Sequence, residues 1–281
     1  MPACHGMIAA LLGVVVGAVL GLTGAGGSVL AVPLLMAGLG WSLPQAAPVA
    51  LLAVAAAAAM GAWTAWRKSY LRYRAALLMA MLGWLTAPLG VHAAAALPAP
   101  LLMGLFAAVM LLVALRLWRQ ARVAPDEARV VRADVHGEGA ASRGPLLRLD
   151  PQTGRIDWDW SAALVIGAIG ALTGLVSGLL GVGGGFVIVP ALRAASPLSM
   201  NSAVATSLMV IALVAGGAVL ASVWQGHALP GAALPFAAGS IAGMMAGRAL
   251  AERLAGPRLQ RGFALLLLLV GLGMAARAAG V

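Results

Sequence analysis

The sequence predicts an all-α integral membrane fold made of two inverted-topology repeats, and three observations carry the prediction. Of the 281 residues, 62% are hydrophobic and 9% charged, against about 25% charged in a soluble domain. Apolar stretches of 16 to 24 residues recur along the chain, close to the roughly 20 that cross a bilayer core as a helix. A single ungapped shift of 157 positions superposes the two halves: Gly13, Gly17, Gly21, Gly24, Gly26, Gly27 and Pro33 fall on Gly170, Gly174, Gly178, Gly181, Gly183, Gly184 and Pro190. Equivalent loops then carry opposite charge character, which is the mark of an inverted repeat.

Residues 1–118 form the first repeat, with apolar segments at 7–22, 29–40, 46–66, 75–97 and 101–118. A polar linker follows at 119–160, with seven Arg and seven acidic residues, whose balanced charge marks a solvated connection. Residues 161–281 form the second repeat, with segments at 161–180, 186–192, 202–225, 231–247 and 262–281. In each repeat a Gly-interrupted first element, either crossing twice or re-entrant, precedes three transmembrane helices. The shift continues through Ser42, Leu51, Gly90, Leu97, Pro100 and Phe106, which fall on Ser199, Leu208, Gly247, Leu254, Pro257 and Phe263.

Charge orients the repeats. Arg67, Lys68, Arg72 and Arg74 mark a cytoplasmic loop in the first half, whereas the equivalent 226–230 has no Lys or Arg. The next loop of the second half holds Arg248, Arg253, Arg258 and Arg261. With both termini outside and the linker cytoplasmic, 17 of the 18 Lys and Arg lie inside and only Arg277 lies outside. Trp63, Trp66, Trp118, Trp158, Trp160 and Trp224 fall near segment ends, as an interfacial belt requires, and Trp84 alone sits deep in its segment.

Several classes are excluded. The net charge of +10 follows from topology and is no nucleic-acid signature. The single cysteine, Cys4, leaves no internal disulfide and no cysteine-ligated metal site. Met1 to Gly6 contains no Lys or Arg, so a cleaved signal peptide is not expected. All eight acidic residues fall in the linker or, for Glu252, in a loop, which disfavours a carboxylate relay or an acidic cation channel. His92 is the one titratable side chain well inside a span; its place near the outer end suits an interfacial residue better than a proton carrier. His136 stands beside Asp134 and Glu138 without a further ligand cluster.

Function is read from the two breaks, 21–28 and 178–185. Glycines four apart allow close helix packing, but adjacent Gly26-Gly27 and Gly183-Gly184-Gly185 point in different directions around a helix and cost helix propensity at about 1 kcal/mol each. Neither run continues into the Lys-Ser/Thr of a phosphate-binding loop. A helix restarting after each break turns its unpaired N–H groups and positive end toward it, and two such ends define an anion site near the midplane without a charged side chain. The candidate contacts are Gly24, Gly26, Gly27, Ser28, Gly181, Gly183, Gly184 and Gly185, with Asn201, Thr206 and Ser207 from the following helix. Asn201 also suits an N-cap, and hydroxyls in membrane helices commonly bond within the bundle. The first-half counterparts of Thr206 and Ser207 are Val49 and Ala50, so the polar set is one-sided.

The sequence Gly21-Leu-Thr-Gly-Ala-Gly-Gly-Ser28 with Val32-Pro33, its repeat Gly178-Leu-Leu-Gly-Val-Gly-Gly-Gly185 with Val189-Pro190, and Ala205-Thr206-Ser207-Leu208 resemble the TauE/SafE family of bacterial sulfite exporters. The resemblance covers both halves and departs at Ser28 for Gly185 and at Val49-Ala50. It implies a multi-pass exporter of small sulfur-containing oxyanions such as sulfite or organosulfonates in the bacterial cytoplasmic membrane. The expected partners are a small anionic substrate and the lipid bilayer, without nucleic acid, cofactor, metal or enzymatic role. Oligomeric state is left open. The alternatives are a transporter of another small anion or solute on the same fold, and a non-transporting membrane scaffold.

Overall fold

A computed structural model describes residues 2–24, 27–67, 71–123, 159–196, 200–224, 231–254 and 257–278. Among them the chain is helical throughout: α1 (Pro2–Thr23), α2 (Gly27–Leu39), α3 (Leu43–Arg67), α4 (Tyr73–Ala96), α5 (Ala99–Val123), α6 (Trp160–Leu180), α7 (Gly185–Ala195), α8 (Met200–Trp224), α9 (Ala233–Leu254) and α10 (Pro257–Ala278). The helix α5 runs five residues past Trp118, and most of the expected linker lies outside the described residues. Asp159 caps α6, its carboxylate accepting from the Trp160 amide at 2.8 Å and the Ser161 hydroxyl at 3.2 Å.

Among the described residues, five helices are long and apolar enough to cross a membrane: α1, α3, α4, α6 and α8. At 1.5 Å per residue, the 13 residues of α2 and 11 of α7 extend about 20 and 17 Å, short of a core about 30 Å thick. Each is too short to cross that core alone. Gly27 lies against the Leu20 backbone and Gly38 against the Leu12 side chain, so α2 folds back antiparallel on α1.

Glycine faces decide which helices meet. A methyl placed on Gly13, Gly17 or Gly21 would fall on the carbonyls of Phe236, Ser240 or Met244 in α9. Reciprocally, Gly239, Gly243 and Gly247 abut the carbonyls of Ala10, Val14 and Ala18. Numbers rise together on both sides, so α1 and α9 run parallel. The same arrangement joins α6 to α4: Gly170, Gly174 and Gly178 abut Met79, Gly83 and Ala87, also in parallel. Such contact brings backbones closer than any side chain permits, which is how membrane helices gain packing energy without a hydrophobic drive.

Between the two seams stand α3 and α8, packed on each other. Gly61 faces Leu208, while Gly183 touches Val54 on one side and Ile211 and Ala215 on the other. The pair is therefore antiparallel. The helices α5 and α10 pack mainly against one another, with α10 also touching α2.

Candidate functional site

Each break begins where a helix ends in a left-handed residue. Gly24 has φ +73° and its amide donates to the Leu20 carbonyl at 2.8 Å; Gly181 has φ +68° and donates to the Ser177 carbonyl at 2.8 Å. Only glycine adopts this conformation without penalty. The second break continues through Gly183 at φ +74° and Gly184 at φ +64°, and α7 restarts at Gly185. The first restarts one position earlier by the 157 shift, at Gly27, with Ser28 fully buried in the opening turn of α2. Gly26 lies outside the described residues.

The breaks seat against the opening turns of α3 and α8. Gly24 meets Val204 of α8, and Gly181 meets Ala47 of α3. Gly183 reaches the level of Val54 and Ile211, about 10 Å further along each helix by the seven-residue spacing. Gly184 packs on Thr173 of α6, whose hydroxyl donates to the Ile169 carbonyl at 2.7 Å. The N-cap of α7, Gly184, offers no side chain to its first amides.

The helix α8 presents two functional faces. Val204, Leu208, Ile211 and Ala215 lie on one, turned to the breaks and α3. Ser207 is three residues from Val204 and four from Ile211, hence on that face between them. Its side chain is 0% exposed, and its Oγ has no hydrogen-bond partner among the described residues. An unsatisfied buried hydroxyl costs about 1–3 kcal/mol, so this position calls for a partner such as water or a ligand.

Thr206 is on a different face. Its hydroxyl donates to the Ser202 carbonyl at 2.7 Å and accepts from the Arg72 amide at 3.4 Å, joining α8 to the start of α4. Consecutive residues lie about 100° apart around a helix, so the hydroxyls of Thr206 and Ser207 face different surroundings. Asn201 is in the first turn of α8, and its side chain falls outside the described residues.

Two residues here escaped the sequence reading. Arg248, expected in a loop, is in α9, and its Nη1 donates to the Gly61 carbonyl of α3 at 2.7 Å. Arg253 also lies in α9, and Arg258 and Arg261 in α10, so the expected long basic loop is mostly helix. Trp84 of α4 donates through Nε1 to the Leu213 carbonyl of α8 at 3.1 Å. No sequence signal marks a carbonyl acceptor.

Among the described residues, five helices long and apolar enough to cross a membrane, with short apolar helices after two glycine-rich breaks, give the architecture of a multi-pass membrane protein, and similarity to known proteins places it in the transporter class. The family described as Sulfite exporter TauE/SafE matches residues 9–274, and the chain belongs to it. A probable membrane transporter protein of Xylella fastidiosa strain Temecula1 is 31% identical over 269 residues, covering 92% of this chain and 91% of that protein. Its counterpart in strain 9a5c is 32% identical over the same extent. No solved structure matches the chain.

Proposed function

We propose that this transporter exports a small sulfur-containing oxyanion, such as sulfite or an organosulfonate, across the bacterial cytoplasmic membrane. The observation that carries the site is Ser207, a buried hydroxyl without a hydrogen-bond partner among the described residues, on the α8 face that meets the two breaks. In this reading its hydroxyl donates a hydrogen bond to the anion, and backbone amides at Gly26, Gly27 and Ser28 and at Gly183, Gly184 and Gly185 supply further donors, while Gly24 and Gly181, whose amides are bonded to the Leu20 and Ser177 carbonyls, shape the two turns. Helix starts favour negative charge without a carboxylate or metal. Asn201, in the first turn of α8, is a further candidate contact, and Thr206, bonded to the Ser202 carbonyl and the Arg72 amide, ties that end of α8 to α4.

Alternating exposure follows from an inverted repeat. The antiparallel packing of α3 on its counterpart α8, and the matched seams α1–α9 and α6–α4, support that reading. The termini then lie outside, with the linker as a cytoplasmic tether between halves.

The test is uptake of radiolabelled sulfite by liposomes holding the full chain, compared with Ser207→Ala. We expect saturable uptake that excess methanesulfonate competes, with apparent affinity lowered about ten- to a hundredfold in the variant, the effect of one lost hydrogen bond to a charged group. Uptake no faster than in protein-free vesicles removes sulfite as substrate. Unchanged affinity in Ser207→Ala removes the site.

A further inference from the structure

The seam between α4 and α8 has a feature that its counterpart between α9 and α3 lacks. Trp84 places its indole where Gly217 has no side chain; a methyl at that glycine would fall on the ring. From there Nε1 donates to the Leu213 carbonyl at 3.1 Å. That carbonyl is also the one an α-helix offers to the Gly217 amide, and its second lone pair takes the indole proton.

Both backbones are weak at this level. Pro88 lies inside α4, and without an N–H it leaves the Trp84 carbonyl without its helical donor. In α8, adjacent Gly216 and Gly217 occupy a helix interior, lowering helix propensity by about 1 kcal/mol each. The first-half positions equivalent to Leu213, Gly216 and Gly217 are Ala56, Ala59 and Met60, and Trp84 and Pro88 correspond to Ile241 and Met245. None of these can form the bond or leave the space. The α8 residues flanking the contact, Ile211 and Ala215, touch Gly183 of the second break. The indole thus presses α8 from the side opposite that break.

We propose that Trp84 is a positioning residue for the transport site: its indole, bonded to Leu213 and seated over Gly217, sets α8 against the second break and so places Ser207. This rests on the reading of that α8 face as the site. The bond restrains a helix whose diglycine would otherwise let it bend, and breaking it opens the Ser207 face to solvent. Half of the Trp84 surface is exposed on the outside of the bundle, so the ring acts on the site only through α8.

The test needs no substrate and therefore stands even if sulfite is not the cargo. In a full-length Cys4→Ser, Ser207→Cys background in detergent, the rate of N-ethylmaleimide modification reports opening at position 207. Trp84→Phe keeps a ring and removes the N–H; it is expected to label about two- to tenfold faster than its parent, the range for one hydrogen bond. Gly217→Ala displaces the indole and should do the same. In a Trp84→Ala background the added methyl has no ring to meet, so Gly217→Ala should no longer speed labelling and, by stiffening α8, should if anything slow it, the non-additivity expected of two residues in contact. Parental labelling rates in both Trp84→Phe and Trp84→Ala overturn the proposal, as does a Gly217→Ala acceleration that persists without the ring.

Discussion

The seams α1–α9 and α6–α4 are counterparts under the 157 shift, yet they hold their helices by different chemistry. On α9 the face is Gly239, Gly243 and Gly247, and every approach is backbone to backbone. On α4 the same positions are Leu82, Thr86 and Gly90. Thr86 donates to the Ala171 carbonyl of α6 at 2.7 Å, and it also lies within reach of the Leu82 and Gly83 carbonyls of its own helix at 3.0 and 3.3 Å. One seam relies on close packing alone, and the other exchanges a glycine for a hydroxyl that bonds across the gap. The comparison teaches that a duplicated membrane unit can conserve a helix pairing while changing the interaction that enforces it.

The comparison breaks most sharply at Gly17 and Gly243. Gly17→Val puts a branched side chain on the Ser240 carbonyl and should destabilise the protein by about 3 kcal/mol, the upper part of the overpacking range. Gly243→Thr, the change that makes the seams alike in sequence, should cost a similar amount, because its Cβ meets the Val14 carbonyl. Denaturant titration in mixed micelles measures both, and a tolerated Gly243→Thr would mean that the seams are interchangeable. Thr86→Val keeps the shape and removes the donor. Its expected cost, in the same titration, is about 0.6–1.7 kcal/mol, the range for interhelical hydrogen bonds in membranes. The smallest effect belongs to Gly104 of α5, around which an added Cβ meets nothing within 4 Å. Gly104→Ala should be neutral or stabilising by up to about 1 kcal/mol, and a marked loss there would show that glycine matters for more than contact.

Much of this arrangement is legible in the sequence because it rests on periodicity. Glycines four apart must line one helix face, and the breaks at Gly24 and Gly181 are legible because adjacent glycines abandon that face. What hides is side-chain direction. Arg248 reads as a loop cation because charge counts locate it only to the nearest segment end; the helix continues, and the guanidinium reaches back to Gly61. Trp84 reads as a misplaced belt residue, because its acceptor is a main-chain carbonyl 129 positions away. Thr206 and Ser207 are neighbours in sequence, whereas α8 turns them about 100° apart and so toward different surroundings.

The parallel seam between α1 and α9 also bears on how the chain is made. Gly17 and Ser240 are 223 residues apart, and at about 5–20 residues per second the ribosome takes roughly 10–45 s to cover that distance. For that interval the glycine face of α1 stands in the bilayer with its final neighbour not yet synthesised. The first half is therefore made before that partner exists, and the glycine face of α1 closes only when α9 arrives.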